Sequence, residues 1–404
     1  MLWWCRRCTY PKSDMKVLYL QHEEKLWGTS RSLLALIDEI RQQGHECYVL
    51  LRKDGPIREE LDNRQVPCAT WYWRVWTADV RNSRPRRALH GLRCILHSRF
   101  NCTKALAQIG DFKPDLVHSN TTKTNLGGRL AGRLGIPHIW HIREFVGGHY
   151  SIGTEWSLGL QVTTKHMSRH GEAAICISQA LCQEFTHSSL SIPIHAIYNG
   201  VMKRAQMLDA VSSLPPTAGD IHFAFIGRFD DLKDPLVALR AMAILQRRGI
   251  PCRLVMAGDG SPEQKHTLRN FVREHRLQHC IEFPGFVSDV SAFLKRIHVL
   301  VMPSRGDAFG RVTAEAMAHG RPVIGANACA TPELVRDGID GLIFTLGDAE
   351  ELADHMQALI ENPAKMAEMG RNAAQRAQAE FTNEQYAAAV INIYERVLYC
   401  EVAA

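Results

Sequence analysis

Several chemistry-bearing and membrane-spanning patterns are missing from this 404-residue chain. No apolar run reaches 18 residues, so no segment is expected to cross a bilayer as a helix. The charge-free stretch 185–202 contains His, Ser, Asn and Pro and does not qualify. G-x-x-x-x-G-K, G-x-G-x-x-G and H-E-x-x-H are all absent, which removes the support for a P-loop, a dinucleotide fingerprint or a zinc-protease helix. No two Asp are separated by a single residue. Of the 12 Cys, only Cys5 and Cys8 form a C-x-x-C pair, and no second pair lies at zinc-ligand spacing. The expectation is reduced, mostly buried thiols in a cytoplasmic protein. The first 14 residues, MLWWCRRCTYPKSD, lack a long apolar core and a small-residue cleavage site, so they are read as an extension and not as a signal peptide.

What is present is ordinary for a folded chain: 46% apolar residues and 22% charged residues, enough to bury a core. The length suggests about two domains. A net charge of +6 is too small to indicate a nucleic-acid partner. The excess is local, however. Residues 71–104 hold eight cations against one acid, a net +7, which leaves the remaining residues at −1.

Short β-branched runs alternate with helical patterns along the chain. Strands are expected at 16–20, 46–51, 115–118, 138–142 and 173–177. A second series is expected at 222–227, 252–258, 281–283, 299–303, 322–325 and 341–344. The helix expected at 30–43 carries Leu33, Leu36, Ile37 and Ile40 on one stripe and stops at Gly44. Ser, Pro and Gly concentrate at 203–219, between the two series. Strands alternating with helices imply parallel sheets covered on both faces. The expected fold is therefore α/β, with two facing doubly wound domains: 15–200, a linker at 201–219, and 220–385. A C-terminal helix follows at 386–404. Such sheets bind ligands at the carboxyl ends of their strands.

Two strand ends carry suitable residues. The strand at 222–227 ends in Gly227-Arg228, and Lys233 follows five residues later. A glycine there allows close approach, and an Arg with a Lys can hold a diphosphate by fork and by point charge. The strand at 299–303 ends in Ser304-Arg305-Gly306-Asp307-Ala308-Phe309-Gly310-Arg311, and a helix follows. Its free N–H groups suit an anion. Asp307 and Glu315 are eight residues apart, up to ~12 Å along a helical path. They cannot share one glycosidic oxygen, but they can hold two ends of an elongated ligand. Two surface cations and a helix-capping acid would give the same pattern without any ligand.

The stretch 303–325, P-S-R-G-D-A-F-G-R-V-T-A-E-A-M-A-H-G-R-P-V-I-G, resembles the E-x7-E signature of family 4 retaining glycosyltransferases. These enzymes have the GT-B architecture of two facing Rossmann-like domains. The resemblance extends to G-R-F-D-D-L-K (227–233), V-M-A-G-D-G (255–260), F-P-G-F-V (283–287) and I-Y-N-G-V (197–201), and more loosely to W-G-T-S (27–30) and W-H-I-R-E (140–144). It covers the chain after residue 15. It implies a sugar transfer from a nucleotide-diphosphate sugar to an acceptor hydroxyl with retained configuration. The first domain would take the acceptor, the second the nucleotide sugar, and the last helix would cross back to the first domain. Arg228 and Lys233 would hold the diphosphate and stabilise the leaving charge, and Glu315 would accept from the ribose hydroxyls. Asp307 would face the donor sugar, beside the backbone of Ala308, Phe309, Gly310 and Arg311. His141 would lie near the reacting carbon, and Gly28 would let its loop approach the diphosphate. Gly227, Gly258, Phe286 and Val287 would lie towards the nucleotide. The first acid departs from the signature: Asp307 stands where the family has Glu, which displaces the carboxylate by up to ~1 Å, enough to matter where it disturbs reacting geometry. The resemblance implies no metal. The D-x-D motif of the other main glycosyltransferase architecture is missing, and Arg228, Lys233 and a helix N-terminus can supply the positive field.

Segment 71–104 opens W-Y-W-R-V-W and continues with Arg-rich sequence and with Leu89, Leu92, Ile95 and Leu96 at helical spacing. One reading is docking on an anionic membrane surface beside a glycan or lipid-linked acceptor of a surface polysaccharide or glycolipid pathway, with peripheral location on the inner face. The other is a solvated arginine face over a core-packed leucine stripe, with the Trp residues in the core. Two rival functions share the fold: a nucleotide-sugar epimerase or phosphorylase, and a non-catalytic binding protein with a degenerate site.

Overall fold

The computed structural model describes residues 14–147, 153–211 and 221–399. The Cys5–Cys8 pair, nearly all of the 1–14 extension, positions 212–219 of the expected linker and the last five residues lie outside the described residues.

The strands, in chain order, are β1 (Lys16–Gln21), β2 (Glu46–Leu51), β3 (Cys68–Thr70), β4 (Thr77–Asp79), β5 (Leu116–Ser119), β6 (His138–Ile142), β7 (Thr154–Trp156), β8 (Ala173–Cys176) and β9 (Ile194–Ala196). Then come β10 (His222–Ile226), β11 (Arg253–Ala257), β12 (Ile281–Gly285), β13 (Val299–Met302), β14 (Val323–Ala326) and β15 (Gly341–Phe344). The first sheet runs β3-β2-β1-β5-β6-β8-β9 and the second β12-β11-β10-β13-β14-β15. All of their pairings are parallel. Their central strands are buried on both faces, as the near-continuous apolar runs require. The strand order reverses between β1 and β5 and again between β10 and β13. These switch points are where such sheets open a crevice. Two Rossmann-like domains facing one another make this the GT-B architecture.

The expected strands are found with ends shifted by a residue or two. Four three-residue strands were not expected. β3 and β9 lie at sheet edges, β4 and β7 form a separate antiparallel pair, and their half-buried residues give no continuous apolar run. The helix expected at 30–43 spans Gly28–Gln42 and buries Leu33, Leu36, Ile37 and Ile40. Gly44 turns the chain out of it at φ 91°, a left-handed value that glycine adopts without strain.

Part of the expected linker is ordered structure. Helix Arg204–Val211 occupies it and seats Met207 fully buried in a core shared with second-domain residues. The chain then passes between the domains a second time. Val201 N–H donates to Phe381 O at 3.0 Å and Asn383 N–H to Met202 O at 3.0 Å, so the two crossings run side by side. Helix Asn383–Tyr399 follows, beginning three residues earlier than expected, and returns to the first domain. There Tyr386, Ala387, Val390, Ile393 and Tyr394 pack with Leu33, Ile37 and Val17.

Segment 71–104 divides differently from either sequence reading. Trp73 and Trp76 are buried in the core, so the tryptophans do not form an interfacial belt. The leucines of helix Arg84–Ala107 point the other way: Leu89, Leu92 and Leu96 are about half exposed, at 48%, 54% and 51%. Among the described residues no helix is long and apolar enough to cross a membrane.

The docking of the last helix is testable. Ile393 is 5% exposed in the first-domain core. Ile393→Ala is expected to destabilise the protein by about 3 kcal/mol in urea titrations. A loss below about 1 kcal/mol would mean that the helix does not seat there.

Candidate functional site

A cleft of about 640 Å³ opens where the two switch points face each other. The turn after β1 supplies Lys25, Leu26 and Trp27 to its first-domain wall, and the first turn of helix Gly28–Gln42 supplies Gly28 and Arg31. The opposite wall is made of second-domain strand ends: Gly227, Arg228 and Lys233 after β10, Gly258 to Gly260 after β11, Phe286 and Val287 after β12, and Asp307 and Gly310 after β13. Arg311, Val312 and Glu315 come from the helix that follows.

Local backbone chemistry explains these placements. Gly310 caps helix Arg311–Ala318 in the left-handed region at φ 75°, and no side chain caps its N–H groups. The first helical bond runs from Ala314 N–H to Gly310 O, leaving the earlier amides at the cleft. Gly258 has φ 151°, and a Cβ there would lie 1.8 Å from Gly227 O. Only glycine lets the β10 and β11 ends approach so closely beside Arg228.

The charges in the cleft are paired across short distances. The Lys233 ammonium is bonded to Asp307 Oδ1, while Asp307 Oδ2 is buried without a partner among the described residues. Arg311 Nε lies 2.8 Å from Glu315 Oε1, and Arg228 lies 2.9 Å from Asp230. Burial lowers the Arg311 pKa from its ordinary value, opposed by the Glu315 carboxylate. The Arg311 guanidinium also donates to Gly200 O at 2.9 Å, to Val201 O at 3.1 Å and to Ser32 Oγ at 3.2 Å, so it joins helix Arg311–Ala318 to the domain junction and to the first domain.

Eleven of the fourteen sequence-derived site residues line this one cleft: Gly28, Gly227, Arg228, Lys233, Gly258, Phe286, Val287, Asp307, Gly310, Arg311 and Glu315. Ala308, Phe309 and His141 do not. Phe309 turns inward and packs on Tyr198 and Phe381. His141, expected beside the sugar, is fully buried in a layer behind the wall.

That layer is a hydrogen-bond network the sequence did not reveal. Arg143, 6% exposed, donates to Asn120 Oδ1 (2.6 Å), Asn199 Oδ1 (2.8 Å) and Tyr386 Oη (2.8 Å), and reaches His141 Nδ1 at 3.3 Å. Arginine can only donate, so His141 Nδ1 accepts and the His141 proton sits on Nε2. His118 Nε2, 3.0 Å from the same Nδ1, must then donate as well, which makes His118 Nδ1 the acceptor from Tyr394 Oη at 2.6 Å. The Tyr394 hydroxyl in turn accepts from Tyr19 Oη at 3.1 Å. His141 Nε2–H has no partner among the described residues. A second branch runs from Asn120 through Gln21 and Ser30 to Lys25 O, on the cleft wall. Trp27, Lys25 and Arg31 were also missed individually. The signal was cations bracketing the W-G turn: Lys25 Nζ stands 4.9 Å from the Trp27 ring, and Arg31 reaches Ser288 O of the other domain at 3.5 Å.

With the geometry in hand, comparison with known proteins extends the class that the fold defines. Residues 28–202 match the family model described as Glycosyltransferase Family 4, and residues 212–376 match the one described as Glycosyl transferases group 1. Each model matches one half of the chain, and together they follow the two domains of the GT-B fold. It is similar to the D-inositol 3-phosphate glycosyltransferase of Pseudarthrobacter chlorophenolicus, 34% identical over 43% of this chain and 44% of that protein. The match therefore spans less than half the length of this relative. A glycosyltransferase of Methanocaldococcus jannaschii is 27% identical over 70% of this chain and 76% of its own. Among solved structures, Anabaena HepE in complex with UDP and glucose has the same fold. It superposes with a TM-score of 0.76 at 21% identity, covering 94% of this chain and 99% of that one.

The buried histidines set a pH dependence. Desolvation holds His118 and His141 well below their ordinary pKa, with Arg143 adding to the shift, and pushes His138 down to about 3. Below pH ~6.5 the unfolded chain takes up protons that the folded chain refuses, at up to ~1.4 kcal/mol per histidine per pH unit. Stability should be full above that pH and fall as pH drops from about 6.5 towards 4, with Tm lower by roughly 5 °C or more at pH 5 than at pH 7. A flat Tm across that range would show that these rings are protonated in the fold.

Proposed function

We propose that this protein transfers a sugar from a nucleotide-diphosphate sugar to an acceptor hydroxyl with retention of the anomeric configuration. The carrying observation is that Arg228, Lys233, an uncapped helix N-terminus and the two acids Asp307 and Glu315 line a single interdomain cleft at both switch points. The phosphates of the donor would take up the two cations and the first amides of helix Arg311–Ala318, which stabilise the leaving charge without a metal. The ribose hydroxyls would donate to Glu315. Asp307 Oδ2 offers an acceptor to the donor sugar while Oδ1 keeps Lys233 in place. Phe286, 70% exposed at the rim, offers a face to the base. His141 Nε2–H is a neutral donor held ready behind the wall, to be presented to the sugar as the domains close. No covalent nucleophile is required: the acceptor attacks on the face the diphosphate leaves, and the leaving phosphate takes its proton. A UDP-sugar is the favoured donor, supported by the fold shared with UDP-bound HepE. The acceptor belongs to a surface polysaccharide or glycolipid, presented at the inner face of a membrane.

A thermal-shift panel of UDP-, GDP-, ADP- and dTDP-sugars tests the donor. One nucleotide class should raise Tm, since a ligand at 100 times its Kd adds about 2.7 kcal/mol. Glu315→Ala should weaken that ligand at least about tenfold, equivalent to about 1.4 kcal/mol. Asp307→Asn should lower kcat by roughly 100-fold with a smaller change in donor Kd. Wild-type protein unmoved by every nucleotide sugar would remove the enzyme reading. Epimerised donor, or phosphate-dependent cleavage in place of transfer, would assign the site to a different reaction.

A further inference from the structure

Helix Arg84–Ala107 is amphipathic in the opposite sense to a core helix. Its buried positions are small: Gly91, Cys94, Ser98, Cys102 and Ala105. Its large apolar side chains are outside, with Leu89, Leu92 and Leu96 about half exposed and Phe100 73% exposed. At ~100° per residue these four fall within an arc of ~80°, directly opposite the buried arc, and they extend ~16 Å along the axis. The helix cannot rotate to hide them. A Cβ on Gly91 would meet Leu158 Cγ at 2.5 Å, His90 Nε2 lies 2.9 Å from Val75 O, and Arg87 is paired with Glu155. The exposed stripe is flanked on one side by Arg86 and Arg93 and on the other by Arg99, all exposed. The whole helix carries six cations and no acid.

We propose that this face docks the protein on an anionic membrane, with Leu89, Leu92, Leu96 and Phe100 lowered into the headgroup–acyl boundary and Arg86, Arg93 and Arg99 on the lipid phosphates. Charge complementarity selects this occupant: an apolar stripe alone suits many partners, but one bordered by guanidinium groups and free of carboxylates suits a surface that is apolar below and negative above. Tryptophans take no part, since Trp73 and Trp76 are core residues. Trp76 nevertheless fixes the location. Its Nε1 donates to Thr122 O at 2.5 Å and its N–H to Lys123 O at 3.1 Å, in the loop leaving the carboxyl end of β5. The helix is therefore tied to the cleft end of the first sheet. This deepens the acceptor reading above and rests on it only for what the membrane carries.

Co-sedimentation of the full chain with vesicles of phosphatidylcholine alone, or of phosphatidylcholine mixed with anionic phosphatidylglycerol, tests it. Wild type should bind the anionic vesicles at least about tenfold more tightly and lose that preference in high salt. Leu92→Gln with Leu96→Gln should reduce binding at least about tenfold, and Arg93→Glu with Arg99→Glu should abolish the preference for anionic lipid. These positions are exposed, so Tm and the nucleotide-sugar thermal shift should be unchanged in both variants. That second readout separates a failure of docking from a failure of the donor reading. Absence of wild-type binding, or equal binding by the variants, overturns the proposal. So does a sedimentation-velocity dimer broken by the leucine changes, which would assign the stripe to a second copy of the chain.

Discussion

Two arginines, one from each domain, hold the peptide where the chain first crosses between them. Arg143, at the end of β6, donates to the Asn199 side chain, and Arg311, at the head of helix Arg311–Ala318, donates to the carbonyls of Gly200 and Val201. A guanidinium removed from water is costly unless its five N–H groups find acceptors. Each arginine therefore fixes everything it bonds. For Arg143 that includes β5 through Asn120 and the returning helix through Tyr386. For Arg311 it includes Ser32 of the first domain and Glu315 of its own helix. The crossing cannot shift without leaving a charged donor unpaired. The relative position of the domains and the polarity of the second-domain wall thus follow from the same few bonds.

A consequence is that Lys233 and Arg311 are already paired with carboxylates before any ligand arrives. Lys233 is held by Asp307 and Arg311 by Glu315. A simple anion would have to compete with a carboxylate for each cation, and a simple polyol would have to compete with a cation for each carboxylate. On the proposed reading, a molecule that brings phosphates and hydroxyls at the right separation would satisfy all four groups together, and the pairing would favour a nucleotide sugar over its fragments. It also suits an Asp at position 307, where the signature that the sequence resembles has Glu. In this chain the shorter acid is seated against Lys233 through Oδ1, and its remaining oxygen is buried without a partner among the described residues.

Much of this was readable in the residues because parallel sheets confine ligand chemistry to strand ends, and strand ends are short, local signals. Gly227-Arg228, the run from Ser304 to Arg311 and Glu315 were identifiable for that reason and share one wall. What escaped was set by residues far apart in the chain. His141 stands at a strand end as expected, but its depth depends on His118, Arg143 and two tyrosines of a helix more than 240 residues later. Its tautomer follows only once Arg143 is known to be a donor to it. Edge strands of three half-buried residues carry too little periodicity to be seen. Helix Arg84–Ala107 shows the remaining limit. Its sequence has two stripes with the same period, one small and one large, and size alone suggests that the large one faces the core. Contact with Leu158 at Gly91 decides otherwise, because only a residue without a side chain lets the helix lie that close.

That inversion connects surface and site. Burying small residues brings the helix tight against β7, the residues after it and the segment at Val75-Trp76, which Trp76 bonds to the loop after β5, and this packing leaves the leucines nowhere to go but outward. The same loop supplies Asn120 to the Arg143 network, which extends through Gln21 and Ser30 to the Lys25 turn on the cleft wall. The outer face of the helix and the inner face of the cleft are thus two sides of one rigid, hydrogen-bonded layer at the carboxyl end of the first sheet. On the proposed reading, a protein lying on that helix would hold this end of the cleft at a set height above the surface. The second domain is joined to that layer through the bonded crossings at residues 199–202 and 381–383.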